Sequence, residues 1–232
     1  MPRPNLLTNV RILNKLEKGD YREVLFWLLL LGSWQFMASP GIKNGIAGAT
    51  GTAAFLLFGW SSLDRLRSLG LDYVRWRSTA ATNWLYAMMG GVVAGTAVFE
   101  IGSASRQRMG LSSDWRLVVL QVTLGPVVEE LLFRGYLFTL LVWSFRRVAD
   151  DSVRSRLVVV AAAVTFALVH MSQPGVSWLQ LACIASTGTM YGWLRWRSGS
   201  VAPAAASHAA YNLTLYGVAN VAAALYGAPL VL

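Results

Sequence analysis

Apolar residues run through this chain in long blocks separated by short clusters of charge. The blocks fall at Val24–Ala38, Ile46–Trp60, Trp84–Ile101, Leu117–Phe145, Leu157–Met171, Ser177–Leu194 and Val201–Gly217. A last piece, Val218–Leu232, is either an eighth block or the end of the seventh. A helix that crosses a bilayer needs about 20 predominantly apolar residues. The pattern predicts an all-α fold, a polytopic transmembrane helical bundle of seven or eight spans. Ahead of the first block, Leu6, Leu7, Val10, Leu13 and Leu16 recur at helical spacing among Arg3, Arg11, Lys15, Lys18 and Arg22. This predicts a short N-terminal amphipathic helix over residues 1–23, lying on the lipid surface. Val24–Ala38 follows a long charged leader, and no small-x-small cleavage pattern comes after it. It reads as a retained span, not a signal sequence.

Leu117–Phe145 is too long for one straight crossing. Gly125-Pro126 is the expected break, because proline lacks a backbone donor and clashes with the preceding turn. A helix that starts near Pro126 puts Glu129 and Glu130 in its first turns, where the helix dipole favours carboxylates.

Composition agrees with the blocks. Of 232 residues, 55% are hydrophobic and only 13% charged, against about 25% charged in soluble chains. The net charge of +9 fits either nucleic acid or anionic lipid. Its distribution favours lipid. If each block crosses once, the five N-terminal cations fall on one side with Arg65, Arg67, Arg75, Arg77, Arg146, Arg147, Arg154, Arg156, Arg195 and Arg197. Lys43, Arg106, Arg108 and Arg116 fall on the other. The excess of positive charge places the N-terminus in the cytoplasm of a multi-pass inner-membrane protein, with no nucleic-acid partner. Trp27, Trp60, Trp84, Trp115, Trp143, Trp193 and Trp196 lie near block ends, as an interfacial belt requires. The single cysteine, Cys183, allows no internal disulfide and reads as a small hydrophobe. No repeat or linker divides residues 1–232, which read as a single membrane domain.

Of 11 acidic residues, only Glu129 and Glu130 lie deep in an apolar block, and Arg134 is the only deep base. Such residues cost roughly 2.5–3.5 kcal/mol each on insertion scales and mark function by default. Glu130 and Arg134 stand at i and i+4, the favourable order for a helix ion pair. That leaves Glu129 about 100° further round, free to face something else. A purely structural Glu130–Arg134 network is the competing reading. Both histidines, His170 and His208, lie in apolar blocks, and His208 and Asn212 share one helix face. Taken at similar depth, Glu129, His170 and His208 can line one polar pocket. A carboxylate and an imidazole can hold and deprotonate a water. A second imidazole and an amide can stabilise an oxyanion. Gly-x-Ser-x-Gly is absent, so amide hydrolysis by activated water, without a covalent intermediate, is the chemistry implied.

Glu129-Glu130-Leu-Leu-Phe-Arg134, Phe166-x-x-x-His170 and His208-x-x-x-Asn212 together resemble the three-motif signature of the CPBP family. That family includes the eukaryotic CAAX prenyl endopeptidase, type II CAAX protease-like and bacterial Abi-type proteins. The resemblance covers roughly Gly125 to Asn212. It implies an intramembrane endopeptidase of the CAAX-protease or bacteriocin-processing type, with a catalytic core over residues 117–217. It implies that Glu129 and His170 activate water, that His208 and Asn212 form the oxyanion site, and that Glu130 and Arg134 organise them. A membrane-anchored or peptide substrate is the expected partner. Two histidines and a glutamate could hold zinc, but HExxH is absent and no fourth ligand is evident. Metal-independent hydrolysis with no cofactor is expected. An ion-coupled transporter would use the same buried groups, although no inverted repeat is visible. A non-catalytic binding or immunity protein would keep the pocket without cleaving. Oligomeric state is not legible.

Overall fold

The computed structural model describes residues 79–106, 111, 114–173 and 175–226. The N-terminal amphipathic helix and the first two apolar blocks lie outside the described residues. What is described is helical throughout, with no strand among these residues. Helix α1 spans Ala81–Ala104, α2 Trp115–Val122 and α3 Leu124–Glu130. A wide π-helical segment, Leu131–Leu137, leads from α3 into α4, Phe138–Ser144. Helix α5 covers Asp151–Val169, α6 Trp178–Ser198 and α7 Ala202–Tyr226. Of these, α1 and α5 are long and apolar enough to cross a membrane.

Local chemistry sets the boundaries. Asp114 caps α2 by accepting from the Arg116 amide at 2.9 Å. Asp150 caps α5, accepting from the Ser152 and Val153 amides at 2.7 and 3.1 Å. Bonds from Ser152 and the Val153 amide hold the exposed Asp150 carboxyl below its ordinary range. Ser177 and Gln180 form a reciprocal capping box on α6. Gly199 ends that helix in the left-handed region, at φ 68°, where a side chain would be strained.

Three expectations from the sequence shift. The break in the long apolar block falls at Thr123, two residues before Gly125-Pro126. Pro126 lies in the first turn of α3, where its missing N–H has no helical partner to lose. Helix α7 runs unbroken to Tyr226, so Val218–Tyr226 continues the seventh block. Finally, Arg195 is not a loop cation: α6 continues through it to Ser198, and Arg195 is only 1% exposed.

Helix α7 lies along α1 at very short range. A Cβ on Gly91 would stand 2.3 Å from the Ser207 carbonyl oxygen, and one on Gly95 2.8 Å from that of Tyr211. Gly91-x-x-x-Gly95 is thus a small-residue seam that lets two backbones meet. Helix α5 packs on α6 and α4, and α7 also contacts α6, α3 and α2. Polarity is inverted relative to a soluble fold. Leu85, Met89, Val93, Val160, Leu168 and Leu213 face outward, while Glu130, Arg134, Arg195, Ser207 and His208 are buried. Outward apolar faces of this extent suit lipid.

Candidate active site

Glu130 is the hub. Its Oε1 accepts from Arg134 Nη1 at 3.0 Å and from His208 Nδ1, also at 3.0 Å. The Glu130 and Arg134 side chains are fully buried. The i,i+4 pair expected from sequence is therefore present, and His208 is its third member. Arg134 also donates from Nη2 to the Gly188 carbonyl at 2.8 Å. Its guanidinium lies 4.5 Å from the centre of the Phe166 ring and 5.3 Å from that of Tyr191. The second Glu130 oxygen, Oε2, is buried and has no hydrogen-bond partner among the described residues.

Two aromatic rings set the imidazoles. Tyr191 stacks on His208, with ring centres 4.9 Å apart and planes 18° from parallel. Phe166 meets His170 edge-on at 4.9 Å and His208 at 5.9 Å. Both histidines thus sit against one ring. His170 Nδ1 lies 2.7 Å from the Phe166 carbonyl oxygen. A carbonyl can only accept, so Nδ1 carries the hydrogen, and in the neutral ring the lone pair is on Nε2. His170 lies just past the end of α5, in a 3-10 turn over His170–Ser172.

Glu129 behaves differently from its neighbour. Its side chain retains 15% exposure, and Oε2 lies 4.0 Å from His208 Nε2. It is within electrostatic range of His170, His208, Glu130 and Arg134. At 4.0 Å there is no direct hydrogen bond. The separation instead suits a bridging water. Asn212 shares the His208 face of α7, and its Nδ2 donates to the Gln121 carbonyl at 2.6 Å. That bond takes one of its two amide hydrogens. The Tyr216 hydroxyl bonds to the Gln121 side chain, so α2 is tied to α7 beside the site.

Sequence reasoning picked out the Glu, Arg, His and Asn residues but missed Gly188, Tyr191, Gln121 and Arg195. Gly188 carried a weak signal, since Gly188-x-x-x-Gly192 lies in an apolar block. Its bare Cα is required: a Cβ there would meet Arg134 Nη2 at 3.1 Å and Phe166 Cδ1 at 3.3 Å. Among the described residues no three His, Cys, Asp or Glu side chains form a metal-holding group. Both imidazole Nδ1 atoms are committed to protein acceptors, which leaves Nε2 as the open nitrogen of each ring.

An all-helical domain with apolar side chains outward and a Glu–Arg–His network sealed within is a membrane protein built around a polar site. Residues 111–214 match the family described as type II CAAX prenyl endopeptidase Rce1-like, and over that region the chain is similar to this protease family. The match spans all three motifs, from Glu129 to Asn212. No curated protein and no solved structure matches the chain.

Proposed function

We propose that the chain is an intramembrane endopeptidase in which Glu129 and His170 activate a water against a substrate peptide bond. The observation that carries this reading is the Glu129–His208 gap. A carboxylate oxygen and an imidazole nitrogen face each other across 4.0 Å, while Glu130 Oε1, Arg134 and the His170 and His208 Nδ1 atoms are held by protein bonds. Glu129 takes a proton from the water, and the hydroxide adds to the carbonyl carbon. The oxyanion accepts from His208 Nε2, when that atom is protonated, and from the second amide hydrogen of Asn212. The proton passes to the leaving nitrogen, the C–N bond breaks, and a carboxylate and an amine are released. Glu130 and Arg134 carry out no proton transfer in this scheme. They hold His208 with its Nε2 toward Glu129.

The finer reading includes an inner-membrane, multi-pass chain of seven or eight spans with a cytoplasmic N-terminus and one domain over its whole length. Hydrolysis proceeds without a metal. The test is reconstitution with a panel of tagged, membrane-anchored peptides, comparing wild type with Glu129→Ala and His170→Ala. Cleavage lost in both variants and unaffected by chelators supports the proposal. Peptide capture without cleavage identifies a binding protein, proton-coupled flux a carrier, and inhibition by chelators a metal enzyme.

A further inference from the structure

Arg195 has no role in the chemistry above, yet its guanidinium is buried and its Nε donates to the backbone carbonyl of Arg134 at 2.9 Å. We infer that Arg195 is a positioning residue: this bond holds the wide turn that presents Glu130 and Arg134 to His208.

The reason lies in the backbone bonding of the π segment. The Phe138 N–H reaches back five residues, to the Phe133 carbonyl. From Phe138 the chain returns to four-residue bonding in α4, a change of pattern that passes over the carbonyl after Phe133, that of Arg134. A buried carbonyl needs a donor, and Arg195 supplies it. The same helix face holds the other end of the residue, because the Gly188 carbonyl accepts from Arg134 Nη2 at 2.8 Å. Gly188 and Arg195 are seven residues apart, about two turns. Helix α6 therefore grips Arg134 by side chain and by backbone.

What the grip prevents can be stated geometrically. One wide turn takes up one extra residue, so reversion to a regular α-helix would rotate α3 against α4 by about 100°. That is also the angle between Glu129 and Glu130 around the helix. Losing the turn would swing Glu130 off His208.

The test uses two substitutions of similar length that differ in whether a donor stands four bonds from Cα. In Arg195→Gln the side-chain nitrogen stands the same number of bonds from Cα as the arginine Nε. In Arg195→Met a methyl group stands there. The full-length protein in nanodiscs, labelled with carbonyl-13C arginine and 15N glycine, gives one cross-peak for an Arg–Gly bond, because Arg134-Gly135 is the only such pair. The expected result is an upfield carbonyl shift in Arg195→Met that Arg195→Gln reverses. With a peptide cleaved by the wild type, kcat should fall roughly 10²-fold in Arg195→Met, as for a small misplacement of catalytic groups. KM should stay near wild type, and Arg195→Gln should recover most of the loss. An unmoved cross-peak, a moved one with kcat intact, or equal losses in both variants overturns the inference. If Arg195→Met does not accumulate, Arg195→Lys replaces it. Its donor stands one bond too far, so kcat below that of Arg195→Gln supports the inference and the reverse order overturns it. The kinetic arm rests on the endopeptidase reading, whereas the cross-peak does not. A wild type that cleaves nothing defeats that reading and leaves the turn still tested.

Discussion

Replacing Glu130 by glutamine should cost stability as well as activity. Both side chains of the Glu130–Arg134 pair are fully buried, and two donors converge on one Glu130 oxygen at 3.0 Å each. Removing one partner of a buried pair costs about 3–5 kcal/mol, because the survivor is left uncompensated. Here Arg134 would keep the Gly188 carbonyl and the faces of Phe166 and Tyr191. In Glu130→Ala those contacts do not replace the carboxylate, so the full range is expected. In Glu130→Gln the amide oxygen can still accept from both donors. Hydrogen bonds to charged groups contribute about 1.5–3 kcal/mol and neutral ones about 0.5–1.5, so the loss should be about 1–3 kcal/mol.

The assay is reversible unfolding in mixed micelles, titrated with denaturing detergent and followed by tryptophan fluorescence. A double-mutant cycle sharpens it. Glu130→Leu and Arg134→Met together should cost less than the sum of the single changes, because the double variant buries no lone charge. Activity should be lost in every variant. If Glu130→Gln unfolds at the wild-type midpoint while only its rate changes, the structural half of the argument is wrong. If the cycle is additive, the two side chains do not act as a pair.

Glu129→Gln should show the opposite separation, with a near-wild-type unfolding midpoint and cleavage slowed about 10²–10⁴-fold, the usual contribution of a general base; the same two assays check it. Gly188→Ala drives a methyl against Arg134 Nη2 and Phe166 and should cost about 1–3 kcal/mol as overpacking, read as a lowered unfolding midpoint. Gly91→Ala should be worse than Gly90→Ala in a parallel thermal scan. The former meets the Ser207 backbone oxygen at 2.3 Å, the latter only the flexible Met190 sulfur at 2.9 Å. Asp150 has a carboxyl held below the ordinary value of 3.8 by the Ser152 side chain and the Val153 and Ser152 amides. Its contribution is therefore present above the unfolded-state value and lost as pH falls through the lower folded value. Asp150→Ala should remove that acid-side slope from a pH series of unfolding midpoints.

The helices were legible because membrane spans write themselves in long apolar runs, and α1, α5, α6 and α7 follow those runs closely. Glu129, Glu130, Arg134, His170 and His208 were legible for the complementary reason: ionisable groups are rare in such runs and need a cause. What sequence could not show depends on partners distant along the chain. Arg195 looked like a cytoplasmic end charge, because a cation near a span terminus usually reaches for water. The Arg134 carbonyl, 61 positions away, and the Phe138 ring meet it on the inside. The π segment is hidden for the same reason: in Leu131–Leu137 only Gly135 is a poor helix former, and the wide bonding is sustained from α6. Asn212 was readable as a face-mate of His208, but its bond to the Gln121 carbonyl follows from where α2 breaks at Thr123.

Two adjacent glutamates could not divide their labour on an isolated helix, where both would meet similar surroundings. The division comes from what each meets 100° apart. Glu130 faces two donors, Arg134 and His208, which fix its Oε1 in place. Glu129 faces a gap, retains 15% exposure and has no side-chain donor closer than the 4.0 Å His208 nitrogen among its ion-pair contacts. His208 joins them: its Nδ1 is fixed by the first carboxylate, so its Nε2 must point toward the second. On this geometry the buried salt bridge serves less as a source of stability than as a device for aiming one imidazole. The cost of burying Glu130 and Arg134 is met by α6, through Gly188 at the side chain and Arg195 at the backbone.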